Sequence, residues 1–135
     1  MSAGTPSQVN ELLFATSRSL LQYTAEAYPW STTTKDLREP LLKLAQQQQV
    51  SVRKLVHWLD DEGETVENEM YPVDFTSLHY VSADFLKKYL VKNQTQVVEL
   101  ATVECREEDE ETAHHLFLAE ILANEQAVLN GLKSL

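Results

Sequence analysis

Four polar side chains stand at positions where four amphipathic segments would otherwise present an apolar stripe. They are Thr16, Gln48 or its neighbour Gln47, Asn93 and Glu125. Each lies about 11 to 15 residues from an end of its segment, and at 1.5 Å per residue these depths agree within roughly 5 Å. We therefore predict that the four side chains meet in one polar layer halfway along a helical core.

Glu125 is the only carboxylate in this predicted layer, and an isolated buried carboxylate is unfavourable. We expect it to accept hydrogen bonds from Gln47 or Gln48, from Asn93 and from Thr16. Otherwise it keeps its proton, with a raised pKa. The alternative is that Glu125 turns to solvent and the stripe is merely imperfect.

The elements that must position this layer are four segments in which apolar residues recur every three or four positions, the period of a helix. They span residues 7–28, 36–61, 82–105 and 110–132. Pro29 ends the first, because proline cannot continue the hydrogen-bond ladder. Gly63 follows the second, where a left-handed cap residue belongs. The pattern predicts an all-α fold, a four-helix bundle forming one domain over residues 1–135.

The stretch 63–81 between the second and third helices contains proline and has no periodicity. About 19 extended residues reach roughly 60 Å, whereas a helix of about 24 residues is roughly 36 Å long. This stretch can therefore cross the whole bundle and make helices two and three parallel. An all-antiparallel bundle with a long loop is the alternative. The side chains expected to hold the crossover against the bundle are Phe75, Leu78, His79 and Tyr80.

Composition excludes several classes of function. The chain has 135 residues, with 11 Lys and Arg against 21 Asp and Glu, so its formal net charge of −10 argues against nucleic-acid binding. No apolar run approaches the ~20 residues of a membrane span, and the N-terminus lacks the pattern of a signal peptide. The one cysteine, Cys105, excludes an internal disulfide and fits a reducing compartment. We expect a cytoplasmic protein.

Short stretches of the chain resemble the ferritin-like superfamily, with spacing similar to that of bacterioferritin. They are Asn10-Glu11-Leu12-Leu13 with Gln22-Tyr23, Leu59 to Gly63, Leu86 to Asn93, and Glu120 to Glu125. The resemblance implies a four-helix bundle with one long crossover. It also implies a di-iron site built from a Glu on each of two helices and a Glu-x-x-His pair on each of the other two.

Most of the ligand positions that the resemblance implies hold other residues. They are Thr16 on the first helix, Gln47 and Val50 on the second (uncertain by one residue), Asn93 on the third, and Glu125 and Val128 on the fourth. One carboxylate and no imidazole remain, and neutral amides and hydroxyls bind transition metals poorly. We therefore expect no cofactor, no di-iron centre and no ferroxidase chemistry at this layer.

Two other functional interpretations stay open. Three residues at a similar height, roughly 15 Å from the predicted layer, are His57, Glu104 and His115. A divergent metal-binding or ferroxidase-type protein, with iron as its metal, would use them with Glu125, although ordinary surface or core histidines are commoner than such a site. The other interpretation is a small-ligand pocket in the core, with the amide layer orienting the ligand.

The interpretation we favour is a structural or interaction module rather than an enzyme. The resemblance implies a homodimer formed through helices one and two. The large aromatic residues near the helix ends are Tyr28, Trp30, Trp58 and Tyr71. They would either contribute to such an interface or cover the ends of the bundle. The acid-rich run 104–111 is interpreted as a solvated turn before the fourth helix, where negative charge suits the helix dipole.

Overall fold

The structure is a computed structural model, and it describes residues 6–27, 37–65, 71–72, 75, 83–107 and 112–135. All regular secondary structure in these ranges is helical, which confirms the all-α prediction. The five helices found in this part of the chain are α1 (Pro6–Ser17), α2 (Leu20–Ala27), α3 (Arg38–Asp61), α4 (Ala83–Arg106) and α5 (Ala113–Lys133).

The last three helices match the predicted segments, with each end within three residues of its expected place. Thr112 is the N-cap of α5, since its side chain accepts a hydrogen bond from the His115 amide at 3.0 Å. Gly63 follows α3 with a φ of 70°, the left-handed conformation expected of it. None of these helices, over the residues that are described, is both long and apolar enough to span a membrane.

The single helix predicted over 7–28 is instead two helices, broken at residues 18–19. Ser19 is the N-cap of the second piece, because its Oγ accepts a hydrogen bond from the Gln22 amide at 3.2 Å. The Leu20 amide, which the break deprives of a helical partner, donates to Asn93 Oδ1 at 3.0 Å. The spacing of apolar residues did not indicate this break, because one of the two hydrogen bonds that stabilise it is made to Asn93 on α4.

Neighbouring helices run antiparallel. Gln8, near the start of α1, donates a hydrogen bond to Glu107 just after α4, whereas Leu20 beyond the end of α1 contacts Asn93 in the middle of α4. The same reversal relates α3 to α5 and α4 to α5, because residues late in one helix contact residues early in the other.

The buried apolar residues form two clusters, one toward each end of the helices. One contains Leu20, Leu21, Leu41, Ala45, Leu86, Leu90, Val128 and Leu132. The other contains Val9, Leu12, Leu13, Leu55, Leu59, Ala101 and Ile121. On α3, α4 and α5 alike, the residues between the two clusters include buried polar ones.

Phe75 packs against the first apolar cluster and lies 5.6 Å from the Tyr23 ring, centroid to centroid. This confirms the expected contact of residue 75 with the helices. The other three side chains predicted to hold the crossover, at 78–80, lie outside the described residues, as do Tyr28 and Trp30. Of the remaining aromatic pair, Trp58 packs on His114 and Tyr71 on Tyr23.

Candidate functional site around Glu125

Glu125 is fully buried in the middle of α5, with 0% of its surface exposed. Its Oε1 accepts hydrogen bonds from Gln48 Nε2 at 2.7 Å and from Gln94 Nε2 at 3.1 Å. Its Oε2 accepts one from Ser51 Oγ at 2.7 Å. The carboxyl group is therefore buried and paired, which excludes the alternative in which it turns to solvent.

Gln48 connects this carboxyl group to the broken first helix. Besides donating to Glu125, its Nε2 donates to Gln94 Oε1 at 2.9 Å. Its Oε1 accepts hydrogen bonds from Ser19 Oγ at 2.7 Å and from Gln22 Nε2 at 3.1 Å. All four hydrogen-bonding positions of the Gln48 amide are thus occupied, and its orientation is fixed. We call Ser19, Gln22, Gln48, Ser51, Gln94 and Glu125 the Glu125 network.

Further side chains hold the Glu125 network from outside. Asn124 Nδ2 donates to Ser51 Oγ at 2.8 Å and to the Gln47 carbonyl at 2.9 Å. Because Ser51 Oγ receives this bond, its own hydrogen points to Glu125. On the opposite side, Gln49 Nε2 donates to Gln22 Oε1 at 2.7 Å. The network therefore links α2, α3, α4 and α5 without interruption.

Two effects oppose each other at the Glu125 carboxyl group. Burial raises its pKa, and the hydrogen bonds from Ser51, Gln48 and Gln94 lower it, in that order of size. Burial is the larger effect, so the pKa of Glu125 lies above its ordinary value. Three neutral donors compensate the carboxylate here, and no ion pair to Glu125 occurs within the described residues.

Two of the side chains predicted to bond Glu125 do not do so, and this expectation was wrong. Asn93 caps α2 instead, and Gln94, one position later, takes its place beside Glu125. Thr16 is buried but donates to the carbonyls of its own helix, at Leu12 and Leu13. Gln47 contacts the network only through its backbone carbonyl. Of the two glutamines considered for the second predicted helix, now α3, it is therefore Gln48 whose side chain bonds Glu125.

Sequence reasoning missed Ser51, Gln94, Ser19 and Gln22. A signal existed for Ser51, which follows Gln48 by three positions and so shares its helix face. Gln94 was hidden by its polar neighbour Asn93, because adjacent positions on a stripe are hard to distinguish from periodicity alone. Ser19 and Gln22 belong to the Glu125 network only because the first helix breaks after Ser17.

The relocated metal site does not assemble. His57 is exposed and lies 3.2 Å from Asp61 on its own helix. His115 directs its Nδ1 at the Cys105 carbonyl, 3.0 Å away. No group of three or more His, Cys, Asp or Glu able to hold a metal ion occurs in the described ranges. Burial raises the pKa of the Cys105 thiol, which favours its less reactive protonated form.

Glu104, the third residue of that set, is a second buried carboxyl group, only 3% exposed. Neither of its oxygens has a hydrogen-bond partner among the residues that the structure describes. Burial raises the pKa of Glu104 to about 8, and the negative charges of Glu11 and Glu107 add to the rise.

The geometry of the Glu125 network suits a fixed internal contact between helices better than an open site, since its amide groups are already engaged with one another. Comparison of the chain with protein-family models, with curated proteins and with solved structures gives no match.

Proposed function

We propose that this chain is a ferritin-like four-helix bundle in which a neutral hydrogen-bond network replaces the di-iron layer. Its role is that of a structural or interaction module rather than of an enzyme. One observation carries the proposal: the only carboxyl group in the Glu125 network is buried and engaged by three neutral donors. The donor set that would neutralise two metal cations is replaced by amides and a hydroxyl.

The directions of the helices support the bundle and its crossover. Asn10, near the start of α1, donates to the carbonyl of Thr65 beyond the end of α3, and Gln8 donates to Glu107 beyond the end of α4. Helices α3 and α4 thus end on the same side and run in one direction. In this proposal, the chain between them crosses the length of the bundle, and α1 with α2 counts as one broken helix.

The spacing of the network residues supports the ferritin-like register. Gln48 and Ser51 are three positions apart on α3, and Glu125 and Val128 are three positions apart on α5. This is the spacing of the two Glu-x-x-His pairs, and Gln94 stands where the glutamate of a third helix belongs. In this proposal the register of α3 and α4 moves by one residue from the positions that the resemblance implied, and that of α5 stays the same.

In this proposal the Glu125 network fixes the helices in one arrangement. It separates the two apolar clusters, which on their own would tolerate sliding of one helix along another. A buried polar group that is satisfied in only one register opposes such sliding. The chain then acts through its surface, where three large apolar side chains are half exposed or more: Phe85, Val103 and Leu116.

We retain the homodimer through helices one and two, and a cytoplasmic location, as parts of this proposal. Symmetric dimers are the commonest oligomers, and the free thiol of Cys105 suits a reducing compartment. Analytical ultracentrifugation over a range of concentrations tests the dimer. Sedimentation as a monomer at every concentration would remove it from the account.

Elemental analysis and a ferrous oxidation assay test the main proposal. We expect the purified protein to contain iron far below one ion per chain and to oxidise added ferrous ion no faster than buffer does. The Glu125→Gln variant, which keeps the shape of the side chain, should behave like the wild type in both measurements. Stoichiometric metal that is lost on Glu125→Gln or His115→Ala would instead support a divergent metal-binding protein.

A further inference from the structure

A cavity of about 280 Å³ lies where the end of α3 meets the start of α5. Lys54 of α3 pairs with Glu120 of α5. Because the two helices are antiparallel, the next turn brings Trp58 opposite Phe117, and Glu62 comes one turn later. The residues that line the cavity are Trp58, Glu62, Ala113, His114 and Phe117.

Three aromatic rings belong to this lining. The centre of the Trp58 ring lies 5.2 Å from that of His114 and 6.2 Å from that of Phe117. The planes of Trp58 and Phe117 differ by only 18°, and a nearly parallel pair at this distance is displaced sideways, so neither ring covers the whole face of the other. Both of these side chains are half-buried. The cavity therefore borders aromatic surface that a ligand can reach, and the faces of such rings attract cations.

The Glu62 side chain adds a full negative charge beside the rings. It is exposed and makes no ion pair or hydrogen bond with any residue that the structure describes. Lysine and arginine are absent from the described lining. The carbonyl end of α3 and the amide end of α5 both border the cavity, so the partial charges of the two helix dipoles oppose each other. The side chains therefore decide the sign of the charge at this site, and it is negative.

The surroundings of the cavity strengthen this negative charge. Four of the five residues 60–64, where α3 ends, are acidic and exposed. The whole chain carries a formal net charge of −10. Such a field raises the local concentration of cations and lowers that of anions. The charge of the site and its aromatic surface thus favour the same class of ligand.

We propose that this cavity binds a small organic ammonium ion. The alkyl groups of the ion lie against Trp58 and Phe117, and its charge is balanced by the rings and by Glu62. The volume lies just below the ~300 Å³ at which most ligand sites begin, so the occupant is a small ion. A metal ion is a poor match, because Glu62 is the one carboxylate in the described lining and hard cations need several oxygen ligands.

Choline is a suitable probe, and its control is dimethylbutanol, in which an uncharged tert-butyl group replaces the trimethylammonium group. Titrations are made at pH 8, where an imidazole is ordinarily neutral. Calorimetry on the full chain should show that choline binds about tenfold more tightly than the alcohol, because the alcohol lacks the charge that the rings and Glu62 attract. Sodium chloride at equal concentration controls for ionic strength.

Fluorescence locates the bound ion. The chain has two tryptophans, so Trp30→Phe leaves Trp58 as the only one. We expect choline to change the emission of this variant saturably, with the affinity that calorimetry gives for the wild type. Equal binding of choline and the alcohol would overturn the proposal, as would the absence of saturable choline binding.

Two variants separate the contributions of charge and ring. Glu62→Gln should weaken choline binding about threefold and leave the alcohol unaffected. Glu64→Gln removes the same charge from an exposed position outside the lining and should change choline binding less. Phe117→Leu keeps an apolar side chain but removes a ring, and should also weaken choline binding about threefold.

A third variant blocks the cavity without altering its charge. Ala113 is exposed in the first turn of α5. Ala113→Leu should fill the space and abolish choline binding, while the thermal melt followed by circular dichroism stays cooperative. Unchanged choline affinity in Ala113→Leu would contradict the proposal even if Phe117→Leu failed to fold. None of these outcomes depends on the Glu125 network.

Discussion

Glu125 and Glu104 are both buried carboxyl groups on helices that pack against each other, but within the described ranges only Glu125 is surrounded by donors. Three side chains from α3 and α4 donate to Glu125. Glu104 faces no donor among the described residues, and the charges acting on it are those of Glu11 and Glu107.

The two carboxyl groups share burial but differ in the groups that surround them. Burial raises the pKa of both carboxyl groups. At Glu125 the surrounding donors work against that rise, whereas at Glu104 two neighbouring negative charges add to it. Of these two carboxyl groups, Glu125 is the one that receives hydrogen bonds from the described residues. Glu104 is accommodated by keeping its proton near neutral pH, since its pKa is raised to about 8.

The largest effect is expected from breaking the network at its centre. Gln48→Leu removes two donors and two acceptors at once, leaving Glu125 without one of its three donors and Ser19 Oγ without its acceptor. We expect the free energy of unfolding to fall by about 3–5 kcal/mol, measured by urea denaturation. Gln46→Leu, at an exposed position of the same glutamine run, should change it by less than about 0.5 kcal/mol. Equal effects of the two substitutions would mean that the network contributes nothing.

Removing the other carboxyl group, that of Glu104, is expected to raise the free energy of unfolding rather than lower it. Glu104→Leu replaces a buried group that has no donor in the described part of the chain with an apolar one, and should raise the free energy of unfolding by about 1–4 kcal/mol at pH 8. Glu125→Leu should lower it, because Gln48, Gln94 and Ser51 lose their acceptor. Destabilisation by Glu104→Leu would show that Glu104 has a favourable partner. It would contradict the stated difference between Glu104 and Glu125.

The pH dependence sharpens the same contrast. The folded pKa of Glu104, about 8, lies above its ordinary 4.5. Between these values the folded state binds more protons than the unfolded state, so stability falls as pH rises and levels off above pH 8. Denaturation midpoints from pH 4 to 9 should therefore fall more steeply for the wild type than for Glu104→Gln. Glu99→Gln, exposed on the same helix, should keep the wild-type slope.

A smaller effect is expected from removing one donor at the edge of the network. Ser51→Ala takes away the hydrogen bond to Glu125 Oε2 and the acceptor of Asn124. We expect a loss of about 1–2 kcal/mol in the free energy of unfolding and a further rise in the pKa of Glu125, followed by NMR of the carboxyl carbon. Ser7→Ala, at an exposed position of α1, is the control. A Glu125 pKa that does not respond would show that Ser51 is not its donor.

Much of the fold follows from local pattern. The spacing of apolar residues predicted α3, α4 and α5 closely, because these helices bury one continuous face each. Glu125 and Gln48 were identified as polar interruptions of such faces, and they do meet. The break in the first helix was missed, since Asn93 supports it from a distant part of the chain.

The rest of the site depends on details that periodicity does not resolve. Asn93 and Gln94 are both polar and adjacent, so only the packed structure shows which one reaches Glu125. Ser51 is small and weakly polar, and its role arises from the carboxylate facing it. The absence of donors to Glu104 among the described residues likewise depends on what packs beside it, including Glu11 and Glu107, and not on its own sequence position.

Counting the ferrous ions bound per chain under anaerobic conditions tests the central claim most directly, by comparing the wild type with a variant that restores the proposed ligands. The variant carries Thr16→Glu, Gln48→Glu, Ser51→His, Gln94→Glu and Val128→His, with Glu125 unchanged. We predict far less than one ion per chain in the wild type and up to about two in the variant. Stoichiometric ferrous ion in the wild type, lost on Glu125→Gln, would contradict the account.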